Sequence, residues 1–258
     1  MSKIREQLII NYVNDRGYAS VNDLCEEFAV SPATMRRDLD KLNTMKLLTK
    51  VHGGAKSISS EILNDSTILT RQKRIKSEPE KKMKIAKYAV SFIKHDDIIF
   101  LDSSTTLLYM VDYLAEMHFP ITVVTNDIFI AAKLGEKSIF NVVVIGGDLR
   151  KNLSGTVGLY AEQQISSMHF DKAFICFDTI NLHDGITTRH VNNLLIKQKV
   201  IKNSIISYAL GDSSKFVSFS YGKIGDLNQF KYIITDDGLS DTIYDDFTKH
   251  GINIIRAS

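Results

Sequence analysis

Apolar positions recur along this chain in two regimes. In the first some fifty residues they follow helical spacing. Ile4, Leu8, Ile9 and Tyr12 predict a helix ending near Gly17, and Leu24 and Phe28 give an apolar face to a second. Met35, Leu39 and Leu42, at i, i+4 and i+7, do the same for a third. Start signals precede the last two helices. Ser20 can cap one, with Asp23 placed as a capping-box partner. Ser31 can cap the other, with Pro32 at the first helical position, where the missing N–H costs nothing. The link around Ala29 and Val30 is short enough to demand a sharp helix-turn-helix corner. Leu47-Leu48, Lys50, Val51, His52 and Gly53-Gly54 then read as a two-strand wing.

The periodicity fades from Lys56 to about Pro79. That stretch is rich in Ser and Asn and then carries the charged run Arg71 to Lys76, which reads as a solvated linker with room for a short helix. Beyond Pro79, short apolar strands alternate with helices. Strands are expected at Ile98–Leu101, Ile121–Val124, Val142–Ile145, Ala173–Phe177, Ile205–Leu210, Ile233-Ile234 and Ile252–Ile255. Helices are expected around Met83–Ile93, Leu107–Met117, Ile128–Leu134 and Asn192–Asn203. Such alternation predicts a mostly parallel sheet covered on both faces. The expected organisation is α/β: a winged helix-turn-helix over 1–56, a linker over 57–79, and an α/β effector-sensing and oligomerisation domain over 80–258.

Packing the Met35 stripe inward turns Thr34, Arg37 and Lys41 outward, with Ala33 and Arg36 on the flanks. A short residue and two guanidiniums near a helix N-terminus suit a helix in the major groove, although any solvated helix face could carry them. With Ser31 at the helix start and Lys50 and His52 on the wing, Ser31, Ala33, Thr34, Arg36, Arg37, Lys41, Lys50 and His52 are the candidate DNA-binding residues.

In the second regime the polar residues collect after strand ends. Asp102, Ser103, Ser104, Thr105 and Thr106 follow one strand, and Thr125 and Asn126 another. Gly146 and Gly147, Asp178, and the run from Asp212 to Lys215 follow three more. In an open parallel sheet that edge binds ligands. The Ser103–Thr106 hydroxyls and N–H groups suit a phosphate at a helix start, and the Gly pair allows close backbone approach. The aspartates can accept hydrogen bonds from sugar hydroxyls, and Lys215 supplies a point charge. These residues form a candidate effector site for a phosphorylated polyol or sugar. Each also has a plainer role as a cap or turn.

Composition narrows the classes. With 258 residues, 44% hydrophobic and 24% charged, the chain has the make-up of a globular protein. A formal net charge of +2 leaves DNA contact to a local patch rather than a global field. Cys25 and Cys176 show no metal spacing and are expected as buried, reduced thiols. No secretory leader or membrane-spanning run stands out, so a cytoplasmic protein is expected, with no metal or cofactor.

The run Val30-Ser31-Pro32-Ala33-Thr34-Met35-Arg36-Arg37-Asp38-Leu39, with Leu48 and Val51-His52-Gly53-Gly54-Ala55 downstream, resembles the DeoR family of bacterial transcriptional regulators. DSSTT at Asp102, TN at Thr125, IGGDLR at Ile145 and GDSSKF at Gly211 agree, so the resemblance spans nearly the whole chain. It implies a C-terminal domain similar to the ribose-5-phosphate isomerase and CoA-transferase group of α/β folds. It further implies a phosphorylated sugar as effector, a double-stranded DNA operator of a carbohydrate operon, and a homo-oligomer (dimer or tetramer). The chain departs from the family pattern at Ser104, at Cys176, Phe177 and Thr179, and at Asn192-Asn193. Three readings stand: a ligand-responsive repressor that is not an enzyme, a constitutive DNA-binding protein whose second domain only oligomerises, and a sugar-phosphate isomerase fused to a DNA-binding module.

Overall fold

The structure is a computed structural model that describes residues 5–6, 8–10, 12–13, 18–44, 47–51, 53–57, 70–136, 140–149, 155–217 and 220–258. His52, with Ile4 and Gly17, lies outside the described residues. The chain divides into two compact units, Met1–Gln72 and Lys73–Ser258.

In the first unit the described residues between 5 and 13 are helical. The next two helices run Val21–Phe28 and Pro32–Thr44. Ser20 Oγ accepts from Asp23 N while Asp23 Oδ2 accepts from Ser20 N, both at 3.1 Å, so the expected capping box is formed. At the corner, Ala29 adopts the left-handed conformation (φ 49°) and its N–H closes the first helix on Cys25 O. Ile9, Val13, Leu24, Met35, Leu39, Leu42, Leu48 and Ala55 fill the core, the predicted Met35 stripe among them. Three strands form one antiparallel sheet in the order β1-β3-β2: β1 (Tyr18–Ser20), β2 (Leu48–Val51) and β3 (Gly54–Ser57). The pattern predicted only the two wing strands, because β1 is too short to show a period. Gly54 is where β3 crosses β1: a Cβ there would lie 2.3 Å from Ala19 O. Cys25 is half-buried rather than buried, at the edge of this core.

The helix Thr70–Lys76 spans the division between the units, and its residues from Lys73 onward belong to the second. There, β4 (Ile98–Leu101), β5 (Thr122–Thr125), β6 (Asn141–Val144), β9 (Phe170–Cys176), β12 (Ser204–Leu210), β14 (Tyr232–Asp236) and β15 (Ile254–Ala257) form a seven-stranded, fully parallel sheet. Its order is β15-β14-β12-β9-β4-β5-β6. The chain therefore starts in the middle, winds outward through β5 and β6, then returns beside β4 and winds the other way. The reversal between β4 and β9 is a topological switch point, where strand ends diverge and leave a crevice. A hairpin of β7 (Asp148–Leu149) and β8 (Thr156–Val157), and a small antiparallel sheet of β10 (Thr179–Asn181), β11 (Gly185–Thr188) and β13 (Gly222–Gly225), are appended.

Side chains of the large sheet split by period two into two cores. Phe100, Ala173, Ile175, Ala209 and Ile233 enter one, with residues of the helices Leu159–Ser166, Leu194–Lys202 and Asp241–Lys249. Ile99, Leu101, Phe174, Cys176, Tyr208, Leu210 and Ile234 enter the other, with the helices Pro79–Val90, Thr105–Leu114 and Ile128–Gly135. At roughly 1.5–3 kcal/mol for each large side chain fully removed from water, these two layers fix the strand order and so the crevice. The helices Leu159–Ser166 and Asp241–Lys249 were not expected from the sequence; the first has no side-chain cap to mark its start.

Candidate functional site

In the first unit, the helix Pro32–Thr44 leaves Ala33, Arg36 and Arg37 exposed. Thr34 is half-buried; its N–H donates to Ser31 Oγ (3.3 Å) and its hydroxyl lies 3.0 Å from the same oxygen. Ser31 is thus a cap first. Two ion pairs fasten this helix to the first helical segment: Arg5 Nε–Asp38 Oδ2 and Lys41 Nζ–Glu6 Oε1, both at 2.8 Å. Lys50 on β2 pairs with Asp40 of the same helix. Lys41 and Lys50 keep their exposure, and each is engaged by a carboxylate. The outward guanidiniums of Arg36 and Arg37 are the strongest candidates for groove contact.

In the second unit, the crevice at the switch point is a cleft of about 290 Å³ lined by residues following β4, β9 and β12. Beneath it, Asp102 is fully buried. Its Oδ2 accepts from Cys176 N (3.0 Å) and from Lys197 Nζ, and Lys197 also donates to Cys176 O (2.7 Å). One buried ammonium therefore ties the ends of the two strands that flank the switch point. Ser104 begins the helix Thr105–Leu114: its Oγ accepts from Thr106 N (3.1 Å) and Leu107 N (3.2 Å) and lies 2.8 Å from Cys176 Sγ.

The walls are charged and hydroxylated. Asp178 Oδ2 accepts from Thr188 Oγ1 and Arg189 N, each at 2.8 Å. Burial pushes the Asp178 carboxyl up, but His190, these two hydrogen bonds and Lys215 together hold it below the usual carboxylate range. Asp212 is likewise held low, its burial outweighed by Lys215 and by hydrogen bonds from Ser214. Lys215 Nζ sits 4.0 Å from Asp212 Oδ2 and 5.6 Å from the Phe177 ring centre. Arg74, Lys82, Arg189, His190 and Lys197 also line the cleft. The Lys82 ammonium is held below its ordinary value by burial first and by neighbouring Lys215. His190 is held low by burial, against the pull of Asp178. Burial drives the Cys176 thiol up to about 11, so it is a wall and not a nucleophile. The cleft thus combines converging cations, carboxylates and a helix start, and can hold a small anion that also carries hydroxyls.

Of the residues expected here from sequence, Ser103, Ser104, Thr105, Thr106, Asp178, Asp212 and Lys215 line the cleft. Asp102 lies under it as the partner of Lys197. Thr125, Asn126, Gly146 and Gly147 are placed elsewhere. Thr125 Oγ1 donates to Leu101 O (2.7 Å) and accepts from Asp127 N (3.0 Å), while Asn126 Nδ2 donates to Thr156 O (3.0 Å). Gly146 N and O are both taken by the Gln164 amide (3.1 and 3.2 Å). Gly147 is needed for packing, since a Cβ there would meet Val157 O at 2.6 Å. Both segments follow strands on the β5–β6 side, away from the point of reversal. Thr179 is also off the cleft, its hydroxyl 2.5 Å from that of Thr187. Sequence reasoning did not place Arg74, Lys82, Thr188, Arg189, His190, Asn193 and Lys197 here; the Arg71–Lys76 charge run and the departure at Asn192-Asn193 were the available signals.

A winged helix-turn-helix joined to a parallel-sheet unit with a cation-lined crevice has the make-up of a transcription regulator that carries its own small-molecule sensor. The comparisons agree. Residues 5–61 match the DeoR-like helix-turn-helix domain and residues 77–237 the DeoR C terminal sensor domain. The chain belongs to the DeoR family of DNA-binding transcriptional regulators. It is 33% identical to the HTH-type transcriptional regulator YulB of Bacillus subtilis (strain 168), over 91% of this chain and 89% of that one. It is 29% identical to the lactose phosphotransferase system repressor of Lactococcus lactis subsp. lactis, over 96% of each. Among solved structures, ribose 5-phosphate isomerase A from Methanocaldococcus jannaschii aligns with 55% of this chain and 56% of its own, at 18% identity and a TM-score of 0.41. No helix among the described residues is long and apolar enough to cross a membrane.

Proposed function

We propose that this regulator is a cytoplasmic, homo-oligomeric repressor of a carbohydrate uptake or catabolism operon, and that a phosphorylated sugar in the switch-point cleft sets its affinity for a double-stranded operator. The observation that carries the reading is the convergence of Lys215, Arg74 and Arg189 with the Ser104-capped helix start on one small cleft. The cations and the helix start suit the phosphate, while Asp178, Thr188 and Asn193 offer hydrogen bonds to hydroxyls. The name of the lactose phosphotransferase system repressor supports a sugar-linked role. On the DNA side, Arg36 and Arg37 face the major groove, with Ala33 and Thr34 close to the bases and Ser31 setting the helix start. Lys41, Lys50 and His52 serve the backbone once Glu6 and Asp40 yield their partners. Two copies reading half-sites about one helical turn apart supply what a chain of net charge +2 lacks in bulk attraction.

The test is calorimetric titration of hexose and pentose monophosphates, and of the same sugars without phosphate, into the full-length protein. Only the phosphorylated forms should bind, and Lys215→Ala should weaken them by about tenfold or more, the worth of a charge-assisted hydrogen bond. Equal binding of the unphosphorylated sugars, or an indifferent Lys215→Ala, would refute the placement of the phosphate.

A further inference from the structure

The helix Thr70–Lys76 and the turn after it form the covalent tether into the sensor unit, and the sequence gives them the look of a solvated linker. The structure puts the part from Lys73 onward on the cleft. Arg74 and Ser77 line it. Lys82, itself buried, donates to the carbonyl oxygens of Arg74 and Ser77. Tyr109 Oη donates to Ile75 O at 2.9 Å. Tyr109 belongs to the same helix whose N-terminus closes the cleft.

Three backbone carbonyls of the tether are thus held by side chains of the sensor, and one of the tether's own cations faces the ligand space. The arrangement carries a cost. Burial first, and then the neighbouring cations Lys215 and Arg74, hold the Lys82 ammonium below its ordinary value. An anion in the cleft relieves that repulsion and gains Arg74 as a contact, but only when the tether is docked.

We propose that the tether segment Lys73–Ser77 is part of the effector site, with Arg74 contacting the effector's anionic group, so that cleft occupancy governs whether the tether is docked. The inference rests on the cleft being an anion site, as proposed above. A ligand that contacts the docked tether must favour the docked state by the difference in affinity. The tether follows the DNA-binding unit in sequence, so its docking is a covalent route by which the effector can reach the operator-reading helix.

Hydrogen–deuterium exchange on the full-length protein tests this, with inorganic phosphate and a mixture of hexose and pentose monophosphates as probes, each at millimolar concentration. Peptides covering residues 70–78 and 103–107 should both gain protection, and Arg74→Gln should abolish the gain over 70–78 while weakening probe binding about tenfold. Arg74→Lys, which keeps the charge, should retain part of both effects. Protection at 103–107 with none at 70–78 would overturn the tether's role and leave the anion site standing. Protection at neither would overturn the anion site, and the tether's role with it.

Discussion

The buried pair Lys197–Asp102 offers the sharpest test of how the cleft is built. The Asp102 side chain is fully buried and that of Lys197 is 6% exposed, and the pair joins the ends of β4 and β9 through Cys176 N and O. Asp102 Oδ1 has no hydrogen-bond partner among the described residues, so the pair is retained despite one unmatched acceptor. Breaking a buried pair by removing one charge costs about 3–5 kcal/mol, because the other is left in low dielectric. Asp102→Asn should therefore lower the melting temperature of the 73–258 unit by roughly 6–20 °C, at 2–4 °C per kcal/mol for a domain of that size. Lys197→Met should do the same, stranding the carboxylate with Cys176 N as its remaining donor. In the double variant neither charge is stranded, so its loss should fall well short of the sum of the two. Near-ultraviolet circular dichroism can follow this unit through the stacked rings of Phe92, Phe174, Tyr208 and Tyr232. Strictly additive losses, or single losses under about 1 kcal/mol, would refute the pairing as the clasp of the switch point.

Other perturbations separate the remaining roles. Ser20→Ala removes half of the capping box and should cost the first unit about 1 kcal/mol, read as a lower thermal midpoint. Arg37→Ala should weaken operator binding by roughly 1–3 kcal/mol and relax preference at one base pair; Lys50→Ala should weaken all sequences alike and reduce the salt slope by about one. His190 has a depressed value in the folded unit, so the unfolded chain takes up its proton first as the pH falls through about 6.5. Stability should therefore drop over that range, less so in His190→Gln, and a variant that follows the wild-type pH profile would remove His190 from the account.

Local signals carried the first unit. Ser20, Ser31, Pro32 and the Met35-Leu39-Leu42 stripe are statements about neighbours along one helix, and the structure places each as its spacing demands. The sheet strands were readable for the same reason, as short apolar runs. What the pattern could not carry was strand order. Thr125-Asn126 and Gly146-Gly147 follow strands just as Ser103–Thr106 does, yet the cleft is lined by residues that follow β4, β9 and β12, and position after a strand is a one-dimensional property. Lys197 shows the converse. Within the run Leu194-Leu195-Ile196-Lys197-Gln198-Lys199 it reads as one more helix-surface charge, and only the packing of that helix under the switch point makes it a buried partner of Asp102. Arg74 was visible as charge in a polar stretch, but its place on the cleft depends on the carbonyl contacts from Lys82 and Tyr109, which lie elsewhere in the chain.

A phosphorylated sugar in the cleft is expected to change the affinity of the helix Pro32–Thr44 for its operator. The direct measurement is fluorescence anisotropy of a labelled operator fragment with the full-length protein, at fixed salt, with and without hexose and pentose monophosphates. A coupling of about 1–3 kcal/mol predicts a shift of roughly 5- to 150-fold in operator affinity with one of them, lost in Lys215→Ala. Operator affinity unchanged by a monophosphate that calorimetry shows to be bound would contradict the account.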